Sequence, residues 1–222
     1  MNFIYAEELK KTFDIYGHFY NLKLSKSVLR CRSILEIRRK RKKSMIADII
    51  VIMMNPGSSI PLDKKYSPKI FSKKEYFQNK TKEIIPTRPD NAQYQIMRLM
   101  QIYNWNFVRI LNLSDLRNGN SGKFQTEFRN AMKLDNSNPH CITHVKRKKE
   151  LSDCIKSKYN KIIAAWGNIA ELKESAEVIL KLDKKIIGLK NGNGPNFRYA
   201  SPYMKKQKIE WLKKIQKEIN KN

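Results

Sequence analysis

The sequence predicts an α/β domain: three layers, α/β/α, around a central, mainly parallel, four-stranded sheet, with an N-terminal β-hairpin-like extension. Two observations carry this expectation. Four short apolar runs, at 48–54, 107–113, 161–166 and 184–189, are dense enough to be strands buried on both faces. Between them lie segments whose apolar residues recur at helical spacing, so strands and helices alternate along the chain. The 222 residues suffice for one such domain and are short for two. A single unit over 1–222 is expected, with an N-terminal helix and extended region at 1–45 and the core at 46–222.

In order, residues 5–15 read as a short helix and 18–37 as an extended, hairpin-like region rich in β-branched and aromatic residues. RRKRKK at 38–43 is a charge run, a solvated turn or a track for a phosphate backbone. The run DIIVIMM at 48–54 is a strand that ends in NPGSS. Residues 60–89 are irregular, rich in Pro and Lys, and too long for an idle connection. Asp90 caps a helix over 91–104 whose inner face holds Ile96, Leu99, Met100 and Tyr103. After the strand at 107–113 come the loop SDLRNGNSG, a helix near 124–133 and another opening at the basic residues 145–149. The strand at 161–166 leads through Gly167 into a helix at 169–182. The last strand is followed by NGNGPNFRYASP and a helix at 203–220 with Ile209, Leu212, Ile215 and Ile219 as its inner stripe.

Charge narrows the function classes. Lys and Arg number 46 against 20 Asp and Glu, a net charge of +26. A compact body with that excess repels itself, and a polyanion is the partner that offsets it. Nucleic acid therefore leads; a lysine-rich solvated surface is the bland reading, and an anionic membrane surface is weaker because nothing forms a continuous apolar span. The three cysteines, Cys31, Cys141 and Cys154, form no disulfide framework. The N-terminus lacks the charge-then-apolar order of a signal peptide. A cytoplasmic location is expected.

In sheets of this kind the site lies beyond the carboxyl ends of the strands. The loops there carry NPGSS at 55–59, NLSDLRN at 112–118, WGN at 166–168 and RYASP at 198–202. Each alone is an ordinary turn or strand end. Together, in this order and each after a strand, they resemble the uracil-DNA-glycosylase-like superfamily over roughly residues 46–215. IMMNPG looks like its first motif, with Asn55 in the place of the catalytic Asp or Asn. VRILNLSDL looks like the second strand, whose Asn reads the base, here Asn112. IIAAWGNIA is similar to its Trp-Gly strand, and YASPY stands where the family has a His-Pro-Ser-Pro loop that enters the minor groove. The pattern is closest to a bacterial group with an M-x-N-P-[GS]-S motif, some of whose members resemble phage-defence glycosylases that act on hypermodified DNA.

The resemblance implies a monofunctional DNA glycosylase that flips out and hydrolyses a C5-modified pyrimidine, with glucosylated 5-hydroxymethylcytosine in double-stranded phage DNA as the specific expectation. It implies no cofactor, no metal, and no obligate protein partner. Catalysis falls to Asn55, whose amide orients water without acting as acid or base. Two roles are open for Asp90: helix N-cap, and water activation beside the sugar, for which Asp63 is a second candidate. Gly57, Asn112 and Tyr199 form the base site. Gly57 stands where uracil-specific relatives hold a bulky aromatic against C5, so an open wall is expected there, unless the glycine only permits a positive φ. Tyr199 replaces the family's His, a neutral donor for a departing base. Ser58, Ser59, Arg198, Ser201, Tyr203 and Lys205 are the expected DNA contacts. Tyr66, Phe71 and Tyr76 are candidates to stack on an extruded base. His140, Cys141, His144 and Cys154 fit no standard zinc spacing. The alternatives are a uracil or mismatch repair glycosylase and a non-catalytic basic nucleic-acid-binding module. A nuclease would need clustered carboxylates for metal, and none stands out.

Overall fold

The computed structural model describes residues 3–79, 81–168 and 170–221. The four apolar runs become β3 (Ile49–Met53), β7 (Phe107–Asn112), β8 (Lys161–Ala165) and β9 (Lys185–Ile187). They pair in parallel in the order β7-β3-β8-β9. β3 is buried at all five positions. Its side chains alternate between two apolar clusters: Ile50 and Ile52 enter one, and Ile49, Val51 and Met53 the other. Full burial of each such side chain contributes roughly 1.5–3 kcal/mol, which is why an unbroken apolar run belongs at the centre of the sheet.

Helices supply the partners of both clusters. The first holds Tyr76 of α2 (Lys73–Gln78), Phe124 and Phe128 of α4 (Ser121–Leu134), Leu151 of α5 (Lys148–Cys154) and Ile179 of α6 (Lys173–Leu180). The second holds Leu9 of α1 (Ala6–Thr12), Ile96, Leu99 and Met100 of α3 (Asn91–Ile102), and Trp211, Leu212, Ile215 and Ile219 of α7 (Lys205–Asn220). In α7 the stripe is led by Trp211, and Ile209 is only half-buried. Tyr103 lies past the end of α3, where its hydroxyl donates to the Gln216 carbonyl at 3.3 Å. No described helix is long and apolar enough to cross a membrane.

The sheet is larger than the four strands expected. The N-terminal region is not an appendage but the long antiparallel pair β1 (Phe13–Leu24) and β2 (Ser27–Arg39), and β2 pairs directly with β7. Residues 60–89 are not an irregular loop. They carry β4 (Ile60–Pro61), β5 (Ile70–Ser72), α2 and β6 (Ile85–Arg88). β5 and β6 pair with β1, and β4 pairs with β6. Nine described strands thus form one sheet, part parallel and part antiparallel. The segment expected to be an irregular connection is stitched to the far side of the hairpin.

One irregularity interrupts the hairpin. His18 pairs with Ile34 and Phe19 with Arg32, so Ser33 is an extra residue, a β-bulge. Ile34 packs into the first cluster, and Ser33 Oγ hydrogen-bonds His18 Nδ1 at 2.7 Å on that same face. The alternation restarts one residue early, and Arg32 turns to the opposite face. A Cβ on Gly17 of β1 would there meet Arg32 Cδ at 3.4 Å and Thr87 Oγ1 at 3.0 Å.

Candidate active site

The parallel strands deliver their loops to one end of the sheet, as the motif reading expects. After β3 and β7 the two chains stay joined: Leu113 N donates to Met53 O at 2.9 Å and Ser114 N to Met54 O at 3.1 Å. Asn55 is buried, and its Nδ2 donates to Asn118 O at 2.7 Å. That bond fixes the amide plane and with it the direction of the Asn55 amide oxygen. After β8 and β9 the same joining recurs. Phe197 N donates to Gly167 O at 3.3 Å, Arg198 N to Leu189 O at 2.7 Å, and buried Trp166 Nε1 to Pro195 O at 2.7 Å. Gly167 has φ +81°, which suits a glycine at that exit from the strand.

Asp90 links the two halves. Its Oδ1 accepts from Ala92 N at 3.0 Å and Gln93 N at 3.2 Å, and Gln93 returns a bond to Asp90 N at 3.0 Å, a capping box for α3. The N-cap reading is therefore correct as far as Oδ1 goes. Oδ2 points elsewhere: a Cβ on Gly57 would lie 2.4 Å from it. The wall expected to be open above Gly57 is occupied by a carboxylate oxygen. The same glycine has φ +67°, so two independent demands exclude a side chain here. Burial raises the Asp90 carboxyl pKa, against the opposing pull of Arg32 and of the Gln93, Ala92 and Ser58 amides. Tyr199 is 36% exposed as a residue, with its phenol in the field of both Asp90 and Arg32; desolvation of the hydroxyl and then the Asp90 charge push the phenol upward, so it is a neutral donor.

Two buried polar side chains in this cluster lack partners. Asn112, at the carboxyl end of β7, is 0% exposed, and neither its Nδ2 nor its Oδ1 meets a hydrogen-bonding group of the protein. Arg32 is 1% exposed, with Nε and Nη1 unbonded. Leaving such a donor or acceptor unmatched costs about 1–3 kcal/mol each. Burial brings the Arg32 pKa down to about 10, with Asp90 opposing, so the guanidinium stays charged at neutral pH. Main-chain geometry ties it to the second motif: Arg32 N donates to Asp115 O at 2.9 Å, three residues past Asn112.

The expected DNA contacts divide. Ser58, Arg198 and Lys205 are exposed, and Tyr203 is 97% exposed on the loop before α7. Lys205 Nζ is held by Tyr5 Oη. Ser201 is half-buried, with its hydroxyl inside the fold and unpartnered. Ser59 is a correction: it is buried and donates to Arg88 O at 3.0 Å, pinning the first loop to β6 rather than facing a phosphate. The aromatic candidates from 60–89 are corrected too. Tyr76 is buried and stacks on Tyr20 with ring centroids 4.6 Å apart, and Phe71 packs half-buried against the first cluster. Tyr66 lines a small cavity with His18, Lys69 and Glu83 on the hairpin side. Asp63 closes its own turn by accepting from Lys65 N at 2.8 Å. His140 and Cys141 touch at 3.7 Å, and no three candidate ligands stand together among the described residues.

Arg32 is the site residue the motif reading missed. Its signal was a charged residue inside CRSIL, a stretch whose neighbours are otherwise buried. Comparison with family models, with curated proteins and with solved structures finds no match to this chain.

Proposed function

We propose that this protein is a monofunctional DNA glycosylase, a three-layer α/β/α domain that works in the cytoplasm on double-stranded DNA. The reading rests on one observation above the others. Two asparagines, one with its amide direction fixed and one with both amide atoms unmatched, lie buried at the carboxyl ends of two neighbouring parallel strands, in a chain of charge +26. An amide that offers a donor and an acceptor side by side suits the edge of a base.

In this reading the basic surface holds the phosphates and the target nucleotide leaves the stack, at a cost of a few kcal/mol. Exposed Tyr203 and the loop at 198–202 enter the groove. Asn112 receives the flipped base, and the Asn55 amide oxygen directs a water at the sugar. Asp90, beside Gly57, faces the C5 side. A carboxylate oxygen there in place of an aromatic wall favours a substituent that carries a hydroxyl donor, so the substrate is a hydroxylated or glycosylated 5-hydroxymethylpyrimidine of foreign DNA and the role is antiviral. Host thymine offers that carboxylate oxygen a methyl group and no donor, and a site built to hydrogen-bond a substituent rejects the analogue that lacks it strongly.

The test is incubation of duplexes containing glucosylated 5-hydroxymethylcytosine, unmodified cytosine or uracil, followed by alkali. The glycosylase reading expects alkali-labile sites in the glucosylated duplex. Direct strand cleavage points to a nuclease, binding without cleavage to a non-catalytic module, and release of uracil alone to repair.

A further inference from the structure

We propose that Arg32, contributed by the N-terminal hairpin, is the cation that stabilises the negative charge developing on the base as it departs. This rests on the glycosylase reading and adds a residue from outside the motif-bearing core. The bulge at Ser33 breaks the alternation of a 13-residue strand at one point, and the result is an Arg32 side chain on the Gly17 face of the sheet, within electrostatic reach of Asp90 and Tyr199. Bulges of this kind re-aim a side chain beside a site. Arg32 is then held at 1% exposure with Nε and Nη1 unbonded, near the Asp90 carboxylate and the Tyr199 phenol and tied by its main chain to the loop that follows Asn112. A buried cation kept without full hydrogen bonding does little for the fold. It does suit an acceptor that arrives with the reaction.

The chemistry asks for such a group. The C1′–N bond breaks with its electron pair passing to the base. Water adds its oxygen to C1′ and gives up a proton, and the base anion takes one up, so one water is consumed and no other reactant is needed. Tyr199 is a neutral donor and cannot supply full charge to the anion. Arg117, the neighbouring arginine, sits over the Phe19 ring at 4.9 Å. Arg32 remains charged at any pH below about 10. Preorganised donors at developing charge act chiefly in the transition state, and removing one costs on the order of 100- to 1,000-fold in rate.

The experiment compares wild type, Arg32→Met and Arg32→Lys in three measurements: single-turnover release from a duplex with glucosylated 5-hydroxymethylcytosine, affinity for a 2′-fluoro duplex that resists hydrolysis, and the thermal midpoint. Arg32→Met is expected to lose about 100-fold or more in rate, to bind within threefold of wild type, and to melt at the wild-type temperature or above. Arg32→Lys, which keeps the charge, should recover at least tenfold over Arg32→Met. A rate loss below tenfold in Arg32→Met overturns the assignment. So does a lower midpoint or failure to fold, which would make Arg32 a structural residue. No release by wild type overturns the glycosylase reading itself, and this role with it.

Discussion

Two fully buried arginines, Arg32 and Arg147, lie on opposite faces of the same sheet and are treated in opposite ways. Each guanidinium nitrogen of Arg147 has a partner. The side chain pairs with Asp115 Oδ2 at 2.8 Å and donates to Glu150 at 2.7 and 3.0 Å and to the His140 carbonyl at 3.1 Å. Tyr20 Oη adds a bond to Asp115 Oδ2 at 2.7 Å, and Lys82 pairs with Glu150. These charges hold the Arg147 pKa well above its ordinary value in spite of burial. Arg32 is as buried, has two unbonded nitrogens, and is brought down to about 10. Identical side chains in equal burial differ in that one ties elements together and the other keeps two nitrogens unbonded.

The largest effect should come from cutting the tie. Removing one member of a buried ion pair leaves the other uncompensated, at about 3–5 kcal/mol. Arg147→Met strands Asp115 and leaves Glu150 with Lys82 alone, and the thermal midpoint should fall by roughly 10 °C for a chain of this size. If Arg147→Met and Arg32→Met melt alike, the contrast between them is broken.

Acid sharpens the same contrast. Burial alone would raise the Glu150 pKa, but Arg147 and Lys82 outweigh it and bring it down to about 2 from an ordinary 4.5. A depressed carboxyl stabilises the fold above its unfolded pKa and loses that contribution as pH falls through its folded one. The stability, about 3 kcal/mol in order of magnitude, should therefore be intact above pH 5 and drain away between about 4.5 and 2. Glu150→Gln should be less stable than wild type at pH 7 and show a flatter decline across that window in denaturant titrations. Parallel curves for the two proteins would remove Glu150 from the network.

The smallest effect on stability belongs to Asn112. Its amide has no partner to lose, so Asn112→Ala should change unfolding free energy far less than Arg147→Met, within roughly 1 kcal/mol. The same substitution should slow base release and blur discrimination among bases. A drop in midpoint like that of Arg147→Met would mean that the amide is a structural anchor.

How much of this was legible depends on which signal each residue carries. β3 and β7 were readable because a strand buried on both faces must be apolar throughout, and Asp90 because a cap has a fixed place before its helix. The joining of the loops at Asn55 and Asn112 followed from parallel strand order. The hairpin's place in the sheet was not legible. β2 mixes buried Arg32, Ser33 and Glu36 with apolar residues, so neither a period of two nor a continuous run stands out. β4, β5 and β6, of two to four residues, are too short for any periodicity, and their pairing to β1 is long-range. Arg32 was hidden for a further reason. Its direction is set by a bulge, and a bulge exists only in the register between two strands, never in one of them. The charge over Gly57 was hidden likewise, because Asp90 reaches it across 33 positions of sequence that carry no trace of the contact.

Whether a base leaves the duplex decides what this protein does. The most direct measurement is mass spectrometry of free bases after single-turnover incubation of wild type and Asn55→Ala with duplex DNA carrying glucosylated 5-hydroxymethylcytosine. Wild type should release the intact glucosylated base and leave an alkali-labile site, while Asn55→Ala binds the same duplex and slows release by about 100-fold or more. Wild type that binds tightly and releases no base, or an Asn55→Ala variant that turns over as wild type does, would contradict it.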